Sequence, residues 1–305
     1  MRLSILRLKD NPHSMNASSF INSKVLRCRT FFFVSYSLIS SAILGQSESS
    51  EAPVVGEALH YEVTYEWGPI FLEVGEVVFS AKEVKDAVTK QWDFRGWGTS
   101  KPHWDWFYPV NSTYSSTTDP AFIPFSFSRI GREGRHRYNR IYNRSSDHCM
   151  ELNCSDDELD NHSICRTESG EEFRDVMSAI HWCRQLPWSS FERGEVIAMD
   201  LLLDGEINST TLKFEGETKH LSPLWPDSVD CWEFHPTLID GTVFKPGDEM
   251  KVLMTADHRR LPVYIETELI IGAAKIHLSH HQIHTPASFQ MLRDSCSNIE
   301  RNLDR

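Results

Sequence analysis

The sequence predicts a mainly β protein: an antiparallel β-barrel or strongly curved sheet with one packed α-helix at about 171–186. Three observations lead there. In "ALHYEVTYEW", residues 58–67, Leu59, Tyr61, Val63, Tyr65 and Trp67 alternate with His60, Glu62, Thr64 and Glu66. A strand sends successive side chains to opposite faces, so this period of two marks a half-buried strand with one aromatic face. Similar short runs, punctuated by turn residues, recur along most of the chain, as in antiparallel sheets, sandwiches and barrels. One segment alone, "SGEEFRDVMSAIHWCRQLP", has a helical period.

The elements follow in order. Gly68-Pro69 turns the chain after the opening strand, and "IFLEVGEVVFSAKEV" returns as the second. Gly75 within it marks a bulge or a bend. "QWDFRGWGTS" is a third strand, and "STYSSTTDPAFIPFSFSRIGREGRHRYNRIYN" holds two or three more, with a hairpin tip at Gly131 to Gly134. "EVIAMDLLLDGEINSTTLKFEG" is a hairpin whose Asp204-Gly205 suits a two-residue type I′ turn. "SVDCWEFHPTL", "EMKVLMTA", "LPVYIETELII" and "AAKIHLSHHQI" complete the set. In the helical segment, Phe173, Val176, Met177, Ile180 and Cys183 recur at spacings of three and four. They form an apolar stripe that packs on the sheet. Ser169 and Glu172 suggest a capping box, and Pro187 a stop.

The chain begins differently. Lys24, Arg27 and Arg29 precede the apolar run Phe31 to Gly45, and polar residues follow. A basic region, a short apolar run and a small-residue exit read as a secretory signal over 1–45, with Met15 as an alternative start. A run this short falls below the roughly 20 residues of a membrane span. No spanning segment is therefore expected after cleavage; a membrane anchor or buried segment is the alternative. Residues 46–55 read as a linker, 56–284 as one β-rich domain with an acidic insertion at 145–170, and 285–305 as a polar tail.

Residues 1–45 carry six Lys or Arg and one Asp, so removing them takes the formal net charge from −12 to −17. Such an acidic chain repels phosphate backbones, which argues against nucleic acid and against docking on anionic membranes. Outside the signal stand Cys149, Cys154, Cys165, Cys183, Cys231 and Cys296. In an oxidising compartment they allow up to three disulfides. No CxxC pair points to zinc, and a loop disulfide or free buried thiols is the expectation.

Candidate chemistry is sparse. His277, His280, His281 and His284 crowd "HLSHHQIH", but on a strand residues four apart stand roughly 13 Å from one another, too far to share a zinc ion. An exposed polar strand end is expected there, and no metal. Asp156, Asp157, Glu158 and Asp160 lack the spacing of a calcium loop and read as solvated. Neither a GxSxG nor a Gly-rich phosphate loop occurs, so neither a catalytic residue nor a cofactor is assigned. Asp105, flanked by Trp104 and Trp106, reads as an exposed acid in an aromatic patch. Aromatic side chains fill β cores and also line apolar pockets.

Three stretches resemble the domain of unknown function 3108 family: "GEALHYEVTYEWGPIFLEVGEV", "RDVMSAIHWCRQLPWSSFERGEVIAMDLLLDGEINSTTLKFEGETK" and "DGTVFKPGDEMKVLMTADHRRLPVYIETELIIGAAKIHL". The late signature comprises Thr255, Asp257, Arg260, Pro262 and Val263. The resemblance runs from about Gly56 to Leu278. It implies an exported bacterial protein of the periplasm or cell envelope, mostly antiparallel β, and brings no established activity. Asp257 and Arg260 are expected either to fix a turn as an ion pair or to line a ligand mouth.

Three functions compete. One is carriage of an apolar ligand such as a lipid, with Tyr61, Tyr65, Trp67, Trp104, Trp106, Asp257 and Arg260 as candidate contacts. Another is an interaction protein with a self-packed core. The third is an envelope hydrolase with paired carboxylates. A cavity above about 300 Å³ favours the first, a packed interior with an exposed apolar patch the second, and two carboxylates about 5 to 10 Å apart in a cleft the third.

Overall fold

Alternating side chains and turn chemistry produce strands along nearly the whole described chain. The first half holds β1 (Glu57–Trp67), β2 (Ile70–Glu83), β3 (Trp92–Ser100), β4 (Val110–Thr118), β5 (Pro124–Glu133), β6 (His136–Ser146), β7 (Cys149–Cys154) and β8 (His162–Cys165). The second half holds β9 (Phe173–Asp175), helix α1 (Val176–Cys183), β10 (Val196–Leu203), β11 (Glu206–His220), β12 (Val229–Pro236), β13 (Met250–Thr255), β14 (Pro262–Glu268) and β15 (Ala273–Ile283). The computed structural model describes residues 53–84, 89–146, 148–156, 158–166, 172–239 and 248–284. The signal segment, most of the linker, and the tail with Cys296 lie outside the described residues.

All fifteen strands join one sheet in the order β8-β7-β6-β5-β4-β3-β2-β1-β15-β14-β13-β12-β11-β10-β9. The chain meanders from β1 out to β8, crosses to the far edge at β9, and meanders back until β15 pairs with β1. Among the described strands only β9 and β10 pair in parallel. The sheet is curled but not closed into a barrel: its edge strands share no ladder, yet β8 comes against β11 and β9 against β5. Side chains close this seam. Asp204 accepts from Arg129 at 2.5 Å and from Arg140 at 2.6 Å. The Gly205 N–H donates to the Tyr142 hydroxyl at 3.1 Å, and Arg166 pairs with Asp200.

Two local expectations are met in detail. Asp204 and Gly205 have φ of 50° and 83°, the double positive φ of a type I′ turn. At Gly75 the β1–β2 register slips: Val63 faces Gly75 and Thr64 faces Glu73. A Cβ on Gly75 would stand 2.6 Å from the Thr99 carbonyl oxygen, so only glycine fits beside β3.

The helix differs from expectation. It spans eight residues and starts at Val176. Phe173–Asp175 instead pairs with Asp200–Leu202, because the sheet edge supplies hydrogen bonds that local propensity does not foresee. The cap is Asp175, whose carboxylate accepts from the N–H groups of Met177 and Ser178 at 2.8 and 3.0 Å. Ser178 completes a capping box by accepting from the Asp175 N–H. Ser169, the expected cap, lies outside the described residues. Nor does the helix show only one buried stripe: Met177, Ser178, Ala179, His181 and Cys183 are all buried, as in a helix wrapped by its surroundings.

The segment 145–170, expected as an irregular solvated loop, carries β7 and β8, joined by a Cys149–Cys165 disulfide. Its acids are not simply solvated. Asp156 and Glu158 accept from Arg140 at 2.7 and 2.8 Å. The arginine, itself almost wholly buried, supplies counter-charge that composition alone does not reveal.

Three clusters of the chain's own side chains make up the described core. One cluster gathers Phe94, Phe127, Tyr142, Met150, Leu152 and Met177. A second gathers Leu59, Tyr61, Leu253, Leu261, Val263 and Leu278. In the third, Trp188 stacks on Phe234 with ring centroids 4.5 Å apart. Each large apolar side chain buried in this way contributes about 1.5–3 kcal/mol.

Candidate functional site

The seven candidate residues do not converge on one pocket. Tyr61 is 2% exposed in the second cluster and donates its hydroxyl to the Pro262 carbonyl at 2.9 Å. Tyr65, Trp67, Trp104 and Trp106 gather at one end of the sheet. Asp257 and Arg260 lie at the other.

Topology creates the first gathering. The β1–β2 and β3–β4 turns fall at the same end because the intervening β2–β3 connection returns the chain. The β14–β15 turn joins them because Glu66, near the end of β1, pairs with Ala273 at the start of β15. Three neighbouring hairpin tips thus stand side by side. The first carries Trp67, Ile70 and Phe71, the second Trp106, Phe107 and Tyr108, the third Ile270 and Ile271. These eight side chains are 41–78% exposed, and they make up eight of the thirteen exposed large apolar residues described. Single exposed apolar residues are ordinary; a gathering at adjacent tips marks an interaction site.

Hydrogen bonds brace the tips. The Tyr65 hydroxyl donates to the Ile271 carbonyl at 2.9 Å, and the Trp104 indole N–H to the Glu73 carbonyl at 3.0 Å. Behind the tips runs a collar of charge: Lys101 pairs with Glu73, and Lys275 with Glu66. Asp105 is exposed, as expected, and accepts from the Ser100 hydroxyl at 2.5 Å.

Sequence alone marks Trp67, Trp104 and Trp106 at these tips as candidates. It misses Ile70, Phe71, Ile270 and Ile271. Their signal was in the sequence: large apolar residues directly beside the turn residues Gly68-Pro69 and Gly272, where polar residues are usual.

The opposite end is a floor of buried charge. Arg184, just past α1, grips Glu57 with two N–H···O bonds of 2.6 and 3.0 Å and donates to the carbonyls of Arg259 and Arg260. Burial by itself pushes the Glu57 carboxyl up, but Arg184, aided by His281, holds it at about 2. At the turn below, Asp257 pairs with Arg259 at 2.5 Å and accepts from Thr255. Arg260, 4% exposed, donates to the carbonyls of Arg184 and Leu186 at 3.0 and 2.7 Å. These contacts fix a turn and a helix end.

The buried carboxylates of Glu57 and Asp175 have their oxygens engaged. Those of Glu57 receive Arg184 and His281; those of Asp175 receive Ser116, Met177 and Ser178. The histidines of β15 face different partners. His280 meets the His60 ring edge-on, His281 reaches Glu57, and His277 packs on Tyr264. Among the described residues no three of His, Cys, Asp and Glu are arranged to hold a metal. An open groove of about 390 Å³ lies beside Trp188, Phe191, Phe214 and Gly216, and none of the seven candidates lines it. No described helix is long and apolar enough to cross a membrane.

A curled sheet wrapped around one short helix defines a β-barrel-like protein. The chain belongs to the family described as "Protein of unknown function (DUF3108)", whose model matches residues 60–279. In structure it is similar to a β-barrel-like protein of the domain of unknown function DUF1849 from Brucella abortus. That likeness has 10% identity and a TM-score of 0.48, and covers 75% of this chain and 98% of that one. No curated protein matches the chain.

Proposed function

We propose that this is a non-catalytic interaction protein of the bacterial cell envelope, which docks through the apolar rim of its hairpin tips. One observation carries the reading: eight large apolar side chains stand exposed on three adjacent tips, while the aromatic residues nearest the core are buried among their neighbours. The fold supplies a rigid base, and the tips present the contact surface.

Carriage of an apolar molecule is the second reading. It rests on the open groove beside Trp188, walled by Phe191 and Phe214 but also by Ser189, Arg193, Glu215 and Glu217. The two readings separate in one experiment. The protein is isolated from native cells under gentle conditions, extracted, and analysed by mass spectrometry for lipid or other small molecules. An apolar dye is titrated in parallel against wild type and Trp67→Ser/Phe71→Ser/Trp106→Ser. Docking predicts no stoichiometric molecule and dye binding that the triple variant loses. A molecule recovered near one per chain, with dye binding intact in the variant, establishes carriage instead.

A further inference from the structure

The rim's chemistry narrows what it docks on. We infer that its partner is the interfacial zone of a lipid bilayer with zwitterionic headgroups. This inference rests on the docking reading above.

Three features favour a bilayer over a protein. The apolar residues are spread over three separate prongs, a form suited to entering a soft interface at several points. The prongs combine tryptophan and tyrosine with phenylalanine and isoleucine. Amphipathic rings settle at headgroup depth, while purely apolar side chains reach the acyl boundary about 5–10 Å in. The tips are also braced from behind within the protein, since the half-buried Tyr65 and Trp104 donate to the carbonyls of Ile271 and Glu73, so they hold their form without a partner's groups.

Charge then selects the headgroup. The collar behind the tips holds Lys101 and Lys275 against Glu66, Glu73, Glu76 and Glu266. Within that collar acids outnumber bases, and the chain beyond residue 45 is strongly acidic, while the adjacent β5–β6 tip, packed against Tyr108, carries exposed Arg132, Arg135 and Arg137. An anionic leaflet repels such a collar. A headgroup that carries its ammonium outermost, as phosphatidylethanolamine and phosphatidylcholine do, meets the acids with opposite charge.

The test is cosedimentation of the protein as isolated with vesicles of phosphatidylcholine and phosphatidylethanolamine. Wild type and Trp67→Ser/Phe71→Ser/Trp106→Ser are run side by side, so that binding through any other segment cancels. The expected result is a loss of at least tenfold in vesicle affinity for the variant, since the apolar area of a single buried ring is already worth about that much. Its thermal midpoint should not move, and wild-type binding should weaken when anionic lipid is added. Equal binding by wild type and variant, or stronger binding to anionic vesicles, overturns the inference. Self-association that the variant abolishes, without rim-dependent vesicle binding, also overturns it but leaves the docking reading standing. If the substitutions change neither vesicle binding, self-association nor dye binding, both readings fail.

Discussion

Arg184 and Glu57 stand 127 residues apart and meet as a two-pronged ion pair with neither side chain exposed to water. The pair ties the end of α1 to the start of β1, while the Arg184 backbone carbonyl accepts from Arg260. Breaking a buried pair leaves an uncompensated charge, so Arg184→Met is expected to cost about 3–5 kcal/mol in urea unfolding. Glu57→Gln/Arg184→Met should recover part of that loss. A double variant as unstable as the single one would show that the ion pair is not what holds the floor.

His181 makes stability depend on acid. Burial, then the Arg184 charge, lowers its pKa from 6.5 to about 3, and its Nε2 is buried without a hydrogen-bond partner. Between those values the unfolded chain binds a proton that the folded chain refuses, so stability falls as pH drops from about 6.5 toward 3. The loss is on the order of 4 kcal/mol. Glu57, held at about 2 against 4.5, adds a loss in the same direction at lower pH. Asp175 opposes both. Burial lifts it to about 6 against the donors that hold it, so its contribution is present below about 4 and lost as pH rises through 6. Thermal melts of wild type and His181→Leu should diverge below pH 6.5, with the variant flatter; parallel curves would refute the assignment.

Tyr61 and Trp67 share one strand and should behave oppositely. Tyr61→Ala removes a core ring and is expected to cost about 3–5 kcal/mol. Trp67→Ser alters an exposed tip, 56% accessible, and should stay within about 0.5 kcal/mol. Chemical denaturation of both variants checks this. A large cost for Trp67→Ser would place that ring in packing and weaken the rim.

Asp204 latches the seam between the two ends of the sheet. Asp204→Ala removes one acceptor from both Arg129 and Arg140. Because Asp204 is half exposed, a loss of only about 1–2 kcal/mol is expected after solvent screening. Asp204→Asn, which keeps the turn and one oxygen, should cost less. Hydrogen exchange at the Gly205 amide should quicken more in the alanine variant; unchanged exchange would mean that the seam is held elsewhere.

Reduction of Cys149–Cys165 should act locally. It frees the edge strand β8 from its partner β7, with at most about 3 kcal/mol of cross-link stabilisation lost. Exchange should rise at Ile164 and stay slow at Met177 in α1. Equal acceleration at both sites would make the disulfide a global restraint.

Much of the scaffold was legible in the sequence because strands and tight turns answer to near neighbours. Alternation gave β1, and the Asp204-Gly205 pair gave its type I′ turn. Gly75 gave the bulge, since missing a Cβ is a property of the residue itself. The helix limits were less legible. The repeat that begins at Phe173 fits a helix as well as it fits the three residues that β10 captures. The candidate site was legible only in part. The tryptophans near 104 and at 67 were visible, but a pocket requires the aromatic face to stay inward along its strand. Along β1 it does not: Tyr61 is buried, Tyr65 half-buried and Trp67 exposed.

The sequence by itself determined a β-rich chain, its principal turns and its acidic charge, because each follows from residue type and near-neighbour spacing. Tertiary structure alone decided that Arg184 meets Glu57, that Arg140 takes up the acids after β7, and that three hairpin tips share one end. Those outcomes depend on strand order and register, set when β15 returns to pair with β1. No local pattern encodes which of many compatible partners a distant strand will find.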